Sequence, residues 1–154
     1  MKKNGFTLIE FITVIGIMGI LALVVAPRIT DTLVTAELSS FMRQLAADAQ
    51  LVRQQAILRG ATLNMQFHHF DPPPHQLRVY RDGVELKEYR RILPSSVRFQ
   101  QTNVNFAFNY LGEPVAFGAP TPNKTITLVA TNGKKKHLVL NIAGRIRISD
   151  EYPN

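Results

Sequence analysis

The sequence predicts an α+β protein, with a long N-terminal helix packed on an all-antiparallel β head. Three observations carry that expectation. Phe6 to Ala26 is an apolar run whose only charge is Glu10, Val34 to Ala56 repeats apolar residues by threes and fours, and from Ala61 the apolar period drops to two.

The first run holds 21 residues, and about 20 apolar residues rising about 1.5 Å each cross a bilayer. The expected organisation is a short leader at 1–5, a transmembrane and assembly helix at 6–27, its amphipathic continuation at 28–60, and the head at 61–154. Met1 to Gly5 carries Lys2 and Lys3 and has no apolar core of its own, unlike an ordinary secretory signal. Basic residues favour the cytoplasmic side, so the chain is expected to cross the inner (cytoplasmic) membrane once, with its head extracytoplasmic. Glu10 needs a partner, because a lone carboxylate in lipid is costly. If the leader is removed after Gly5, the new amino group of Phe6 on a neighbouring subunit can neutralise it; the alternative is a carboxyl left protonated in a plain signal anchor.

After Pro27, the residues Val34, Leu38, Phe41, Leu45, Ala49, Val52 and Ala56 lie on one helical face. Asp31 is placed to cap the start of this stretch and Gly60 to end it. Arg43, Gln44, Gln50, Arg53, Gln54 and Gln55 read as a solvated or subunit-facing surface. In the head, Leu63, Met65 and Phe67 alternate with polar residues. Gln76–Arg81 and Val84–Arg90 flank Asp82-Gly83, the signature of a type I′ hairpin turn. Lys124–Thr131 and His137–Ile142 flank Asn132-Gly133 and a lysine-rich turn, and 97–101 and 104–110 are further strand candidates.

The residues Lys2-Lys3-Asn4-Gly5-Phe6-Thr7-Leu8-Ile9-Glu10 resemble the type IV prepilin motif. That resemblance implies cleavage after Gly5 by a prepilin peptidase, N-methylation of Phe6, and a docking role for Glu10, the fifth mature residue. Pro27 sits where pilins commonly carry a helix-kinking proline. The order of one long helix and short antiparallel strands, with Asn109-Tyr110-Leu111-Gly112-Glu113-Pro114 and the ending Leu138 to Ile148, is similar to the GspH/FimT branch of minor pilins and pseudopilins. Gly144-Arg145-Ile146-Arg147 resembles the Gly-Arg-x-Arg motif that FimT-like minor pilins use to bind DNA in natural transformation. Related secretion pseudopilins also end in a similar Gly-Arg stretch. The alternative role is therefore that of a GspH-type pseudopilin priming or capping a type II secretion filament. Either role implies other pilins or pseudopilins as partners, and the first adds double-stranded DNA.

Charge supports a polyanion partner without the resemblance. The formal net charge is +7, and loss of the leader removes two lysines. From Phe6 to Glu113, ten basic residues nearly balance nine acids; from Pro114 to Ser149 there are six basic residues and no acid. Those six are Lys124, Lys134, Lys135, Lys136, Arg145 and Arg147. Strand alternation sends Arg145 and Arg147 to one face and Ile146 to the core, where two guanidinium forks grip phosphates while the lysines add point charge. Gly144 allows a turn or a close approach. The competing reading makes the lysines a solvated hairpin tip and pairs Arg145 and Arg147 with Asp150 and Glu151. Tyr110 and Phe117 are either base-stacking rings or core.

The absence of cysteine leaves the head to its hydrophobic core, without disulfides. His68, His69 and His75 beside Asp71 invite a metal reading, but alternation separates the first two and no second ligand cluster accompanies them. No nucleophile elbow, P-loop or dinucleotide fingerprint occurs. The sequence thus leads to no cofactor, no metal and no enzymatic activity.

Overall fold

A computed structural model describes residues 7–69, 74–101, 104–116, 119–120 and 123–152, the side chains of 24–28 and 119–120 excepted. The chain divides into two compact units, Met1–Leu33 and Val34–Asn154. Helix α1, Leu8–Arg59, runs through both.

In the first unit Thr7 and Glu10 form a capping box. The Thr7 N–H and hydroxyl donate to Glu10 Oε2 at 2.9 and 3.0 Å, and the Glu10 N–H donates to Thr7 Oγ1 at 3.3 Å. This satisfies amides that a helix start leaves without partners. The apolar residues from Leu8 to Leu23 are exposed. Among the described residues no helix is long and apolar enough to cross a membrane; the expected span at 6–27 lies partly outside them. Asp31 does not begin a second helix, because α1 passes through it. No glycine lies between Gly19 and Gly60, and extending an existing helix costs less than nucleating another.

In the second unit the stripe is buried from Leu38 to Ala56 and partly at Val34, and Met42, outside the expected spacing, joins it with no exposed surface. Helix α1 ends in a Schellman motif at Gly60: the Gly60 N–H donates to Ile57 O and the Ala61 N–H to Ala56 O. Eleven antiparallel strands follow among the described residues, β1 (Leu63–His68), β2 (Gln76–Arg81), β3 (Val84–Glu85), β4 (Arg91–Ile92), β5 (Val97–Phe99), β6 (Val104–Phe108), β7 (Pro114–Ala116), β8 (Ala119–Pro120), β9 (Lys124–Ala130), β10 (Lys135–Leu140) and β11 (Ile146–Ser149). Sheet A has the order β3-β2-β1-β6-β7-β8, with β4 also on β2; sheet B has the order β11-β10-β9-β5. Inward side chains of both sheets, among them Met65, Phe67, Phe99, Phe108, Leu128 and Leu138, form one core with the helical stripe.

The Asp82-Gly83 turn has the positive φ values expected of type I′, 49° and 81°. Its second strand is shorter than the sequence suggested. After Glu85 the chain enters a 3₁₀ turn at Lys87–Tyr89, which buries Tyr89, and returns as β4 to the other end of β2. There Arg91 forks onto the buried Asp48 of α1 with two hydrogen bonds of 3.0 Å. A second difference bears on the site: β10 begins at Lys135, so Lys135 and Lys136 belong to a strand and not to the preceding turn.

Candidate polyanion-binding face

Two hairpin loops share one sequence pattern and three equivalent hydrogen bonds. In Asn109-Tyr110-Leu111-Gly112-Glu113 the Asn109 N–H donates to Glu113 O, Gly112 N–H to Asn109 O, and Asn109 Oδ1 accepts from the Leu111 and Glu113 amides. In Asn141-Ile142-Ala143-Gly144-Arg145 the Asn141 N–H donates to Arg145 O, Gly144 N–H to Asn141 O, and Asn141 Oδ1 accepts from the Arg145 amide at 2.9 Å. The first loop joins β6 to β7 in sheet A and the second joins β10 to β11 in sheet B.

Both loops meet Arg53 of α1. Its Nε donates to Gly112 O at 2.8 Å and its Nη2 to Ala143 O at 3.4 Å. Gly144 has a φ of 74°, and a Cβ there would lie 2.7 Å from Gly112 O and 2.8 Å from Arg53 Nε. The glycine that opens the Gly-Arg-x-Arg sequence is therefore required by the packing of two hairpins against a helix. The sequence alone puts Arg53 on a solvated or subunit-facing surface; the repeated Asn-x-x-Gly spacing is the signal that two loops take the same shape, but it does not reveal the helical arginine between them.

Pairing across sheet B fixes the directions of the strand residues. Ile146 and Ile148 oppose the core residues Leu140 and Leu138, whereas Arg147 opposes Val139, which opposes Thr125 on the outer face. Arg145 and Arg147 line a single hollow of about 410 Å³ with Asn123, Val139 and Asn141. Both arginines are exposed, and among the described residues neither forms an ion pair. Asp150 is instead paired with Lys136. Arg145 also borders a hollow of about 530 Å³ beside Gln50, Arg53 and Gln54 of α1.

The three lysines separate. Lys134 lies in the β9–β10 loop. Lys135 opposes Val129, as does Arg98, so Lys135 and Arg98 share the outer face. Lys136 opposes Leu128 on the inner side and is neutralised by Asp150. Lys135 lies four positions along β10 from Val139, the partner of Arg147, a distance of about 13 Å. The middle of the face is neutral and closed. Thr127 and His137 are buried there, Gln101 accepts from the Thr127 amide, and the Tyr152 ring lies edge-on to His137. Burial lowers the His137 imidazole from its ordinary value, Lys135 lowers it further and Asp150 opposes them.

Of the remaining candidate residues, Gly5 and Phe6 lie outside the described residues, as do Asp71 and Phe117. Glu10 is the acceptor of the capping box. Tyr110 is neither strand nor core but 59% exposed in the β6–β7 loop. His68 and His69 occupy separate positions, the ring of His69 rests on His75, and His75 Nδ1 accepts from the Phe99 amide. Among the described residues no group of three potential ligands is assembled for a metal.

Residues 42–144 match the family model described as type II transport protein GspH, and residues 1–26 match the prokaryotic N-terminal methylation motif. The chain belongs to the GspH family. Among solved structures it is similar to the type IV minor pilin FimU of Pseudomonas aeruginosa (strain PAO1), with a TM-score of 0.55 and 19% identity, over 73% of this chain and 92% of that one. No curated protein matches it significantly. A GspH-family chain is a pilin-like, membrane-anchored filament subunit that associates with other pilins, and its methylation motif implies processing by prepilin peptidase. The GspH match ends at Gly144, so Arg145 and Arg147 fall just beyond it.

Proposed function

We propose that this filament subunit binds double-stranded DNA through the outer face of sheet B, as a minor pilin for DNA uptake in natural transformation. The carrying observation is the pair Arg145 and Arg147, two residues apart, lining one hollow without an acidic partner among the described residues. Each guanidinium offers a planar donor fork suited to phosphate. Lys134 and Lys135 add charge, and Gly144 seats the loop that precedes Arg145. Lys136, held by Asp150, contributes least. In this reading the chain is cut after Gly5, methylated at Phe6, held by 6–26 in the inner membrane with its head outside, and guided into the filament by Glu10.

The test is double-stranded DNA binding by the full chain in detergent across a salt series, beside an Arg145→Gln/Arg147→Gln variant. Affinity should fall as salt rises, and the double substitution should reduce the salt slope by about 2, one per lost phosphate contact. Equal binding by the two proteins rejects the assignment. A second reading, a structural GspH-type pseudopilin of type II secretion, is favoured by the description of the family model and by its ending before the arginines. It requires a stable complex with sister pseudopilins and no DNA affinity at low salt.

A further inference from the structure

The outer face of sheet A differs in chemistry from that of sheet B. Across β1 and β6, Gln66 stands directly opposite Asn105, and Asn64 opposite Ala107. Residues in such pairs have Cβ atoms about 5 Å apart. The three amides project away from the core residues Leu63, Met65 and Phe67. They border a hollow of about 500 Å³ with Thr62 and Tyr110, and the apolar pair Ala107 and Val115 lies on the same face. None of the residues that line this hollow is charged; Arg78, opposite Gln66 on β2, and Glu113, which accepts from Asn109, are not among them. Asn64, Gln66 and Asn105 have no side-chain hydrogen-bond partner among the described residues. The neighbouring Asn109 differs, since its amide is spent on holding the loop that carries Tyr110.

We propose that this hollow binds a neutral, β-linked oligosaccharide. The inference is independent of the DNA reading. A primary amide presents a donor and an acceptor side by side, which suits vicinal hydroxyls that each donate and accept. The exposed ring of Tyr110 offers an apolar surface to the C–H face of an equatorially substituted pyranose and a hydroxyl at its rim. The uncharged lining favours a neutral ligand over a phosphate or carboxylate. The volume falls in the range of small-ligand sites, with a few convergent polar groups beside an apolar pair.

The experiment is saturation-transfer NMR with chitotetraose and cellotetraose on the full chain, in a detergent without a sugar headgroup such as lauryldimethylamine oxide. Saturation should reach the ring C–H protons of at least one tetrasaccharide. Tyr110→Ala, and separately Asn64→Asp/Asn105→Asp, should weaken binding about fivefold or more, the loss expected for one good contact. Tyr110→Phe should keep most of it, and Arg145→Gln/Arg147→Gln should leave it unchanged. Thermal unfolding of each variant reports whether the head is intact. Absence of transfer to both tetrasaccharides with folded protein overturns the proposal, as does equal transfer in Tyr110→Ala and the double Asp variant.

Discussion

From Leu8 to Leu23 the apolar side chains of α1 are open, with Ile15 at 53% and Leu23 at 79% exposure, whereas Leu38, Met42, Leu45 and Val52 are at 1% or less. Both stretches are helical and both are rich in apolar residues, so secondary structure does not separate them. Arrangement does. The first is apolar around its circumference, and the second gathers most of its apolar residues in a buried stripe, leaving Arg43, Gln50 and Gln54, with Leu51, Ile57 and Leu58, outside it. A striped helix finds its cover within its own chain. A helix without a polar side must be covered from outside, which is what a membrane-anchored filament subunit requires.

The largest expected effect tests this contrast directly. Leu45→Ala removes a fully packed side chain and should lower the stability of the head by about 2–5 kcal/mol. Ile15→Ala should change it by less than about 0.5 kcal/mol. Chemical denaturation in detergent, followed by tyrosine fluorescence, checks both; a comparable loss from Ile15→Ala would break the comparison. A smaller effect sharpens it at the end of the striped half. Gly144→Ala places a methyl against Gly112 O and Arg53 at a φ of 74° and should cost about 1–3 kcal/mol by the same measurement.

The smallest effect concerns sheet B on the side away from the helical stripe. The His137 imidazole titrates below its ordinary value when folded, chiefly through burial. The unfolded chain then binds the proton more readily, so this contribution is complete above the unfolded value and is lost as pH falls through the folded one. The midpoint of unfolding should drop below about pH 6.5, and His137→Gln should flatten that part of the profile. An unchanged profile removes His137 as its source.

Much of this was legible in the sequence because it is local. The stripe from Leu38 to Ala56, the alternation of β1 and the Asp82-Gly83 turn depend on neighbours a few residues away. Where contacts between distant residues decide, the sequence was less informative. The strand expected after Gly83 gives way to a 3₁₀ turn because Tyr89 is buried and Arg91 reaches Asp48 on the helix. Asp31 has the chemistry of a cap, yet the helix had already begun at Leu8. At the candidate face, alternation correctly anticipated Arg145 and Arg147 on one side of Ile146. It did not anticipate the strand start at Lys135, which divides three consecutive lysines between a loop and two sides of a sheet.

Arg53 also bears on the order of events during folding. Its two carbonyl partners lie 59 and 90 residues further along the chain, and one belongs to the hairpin of each sheet. Such distant partners meet only after long loops have closed, when most of the slow entropic cost of the topology has been met. A contact made after the transition state acts mainly on the rate of opening. If the guanidinium closes late, Arg53→Gln should speed unfolding of the assembled head while leaving the rate of folding nearly unchanged.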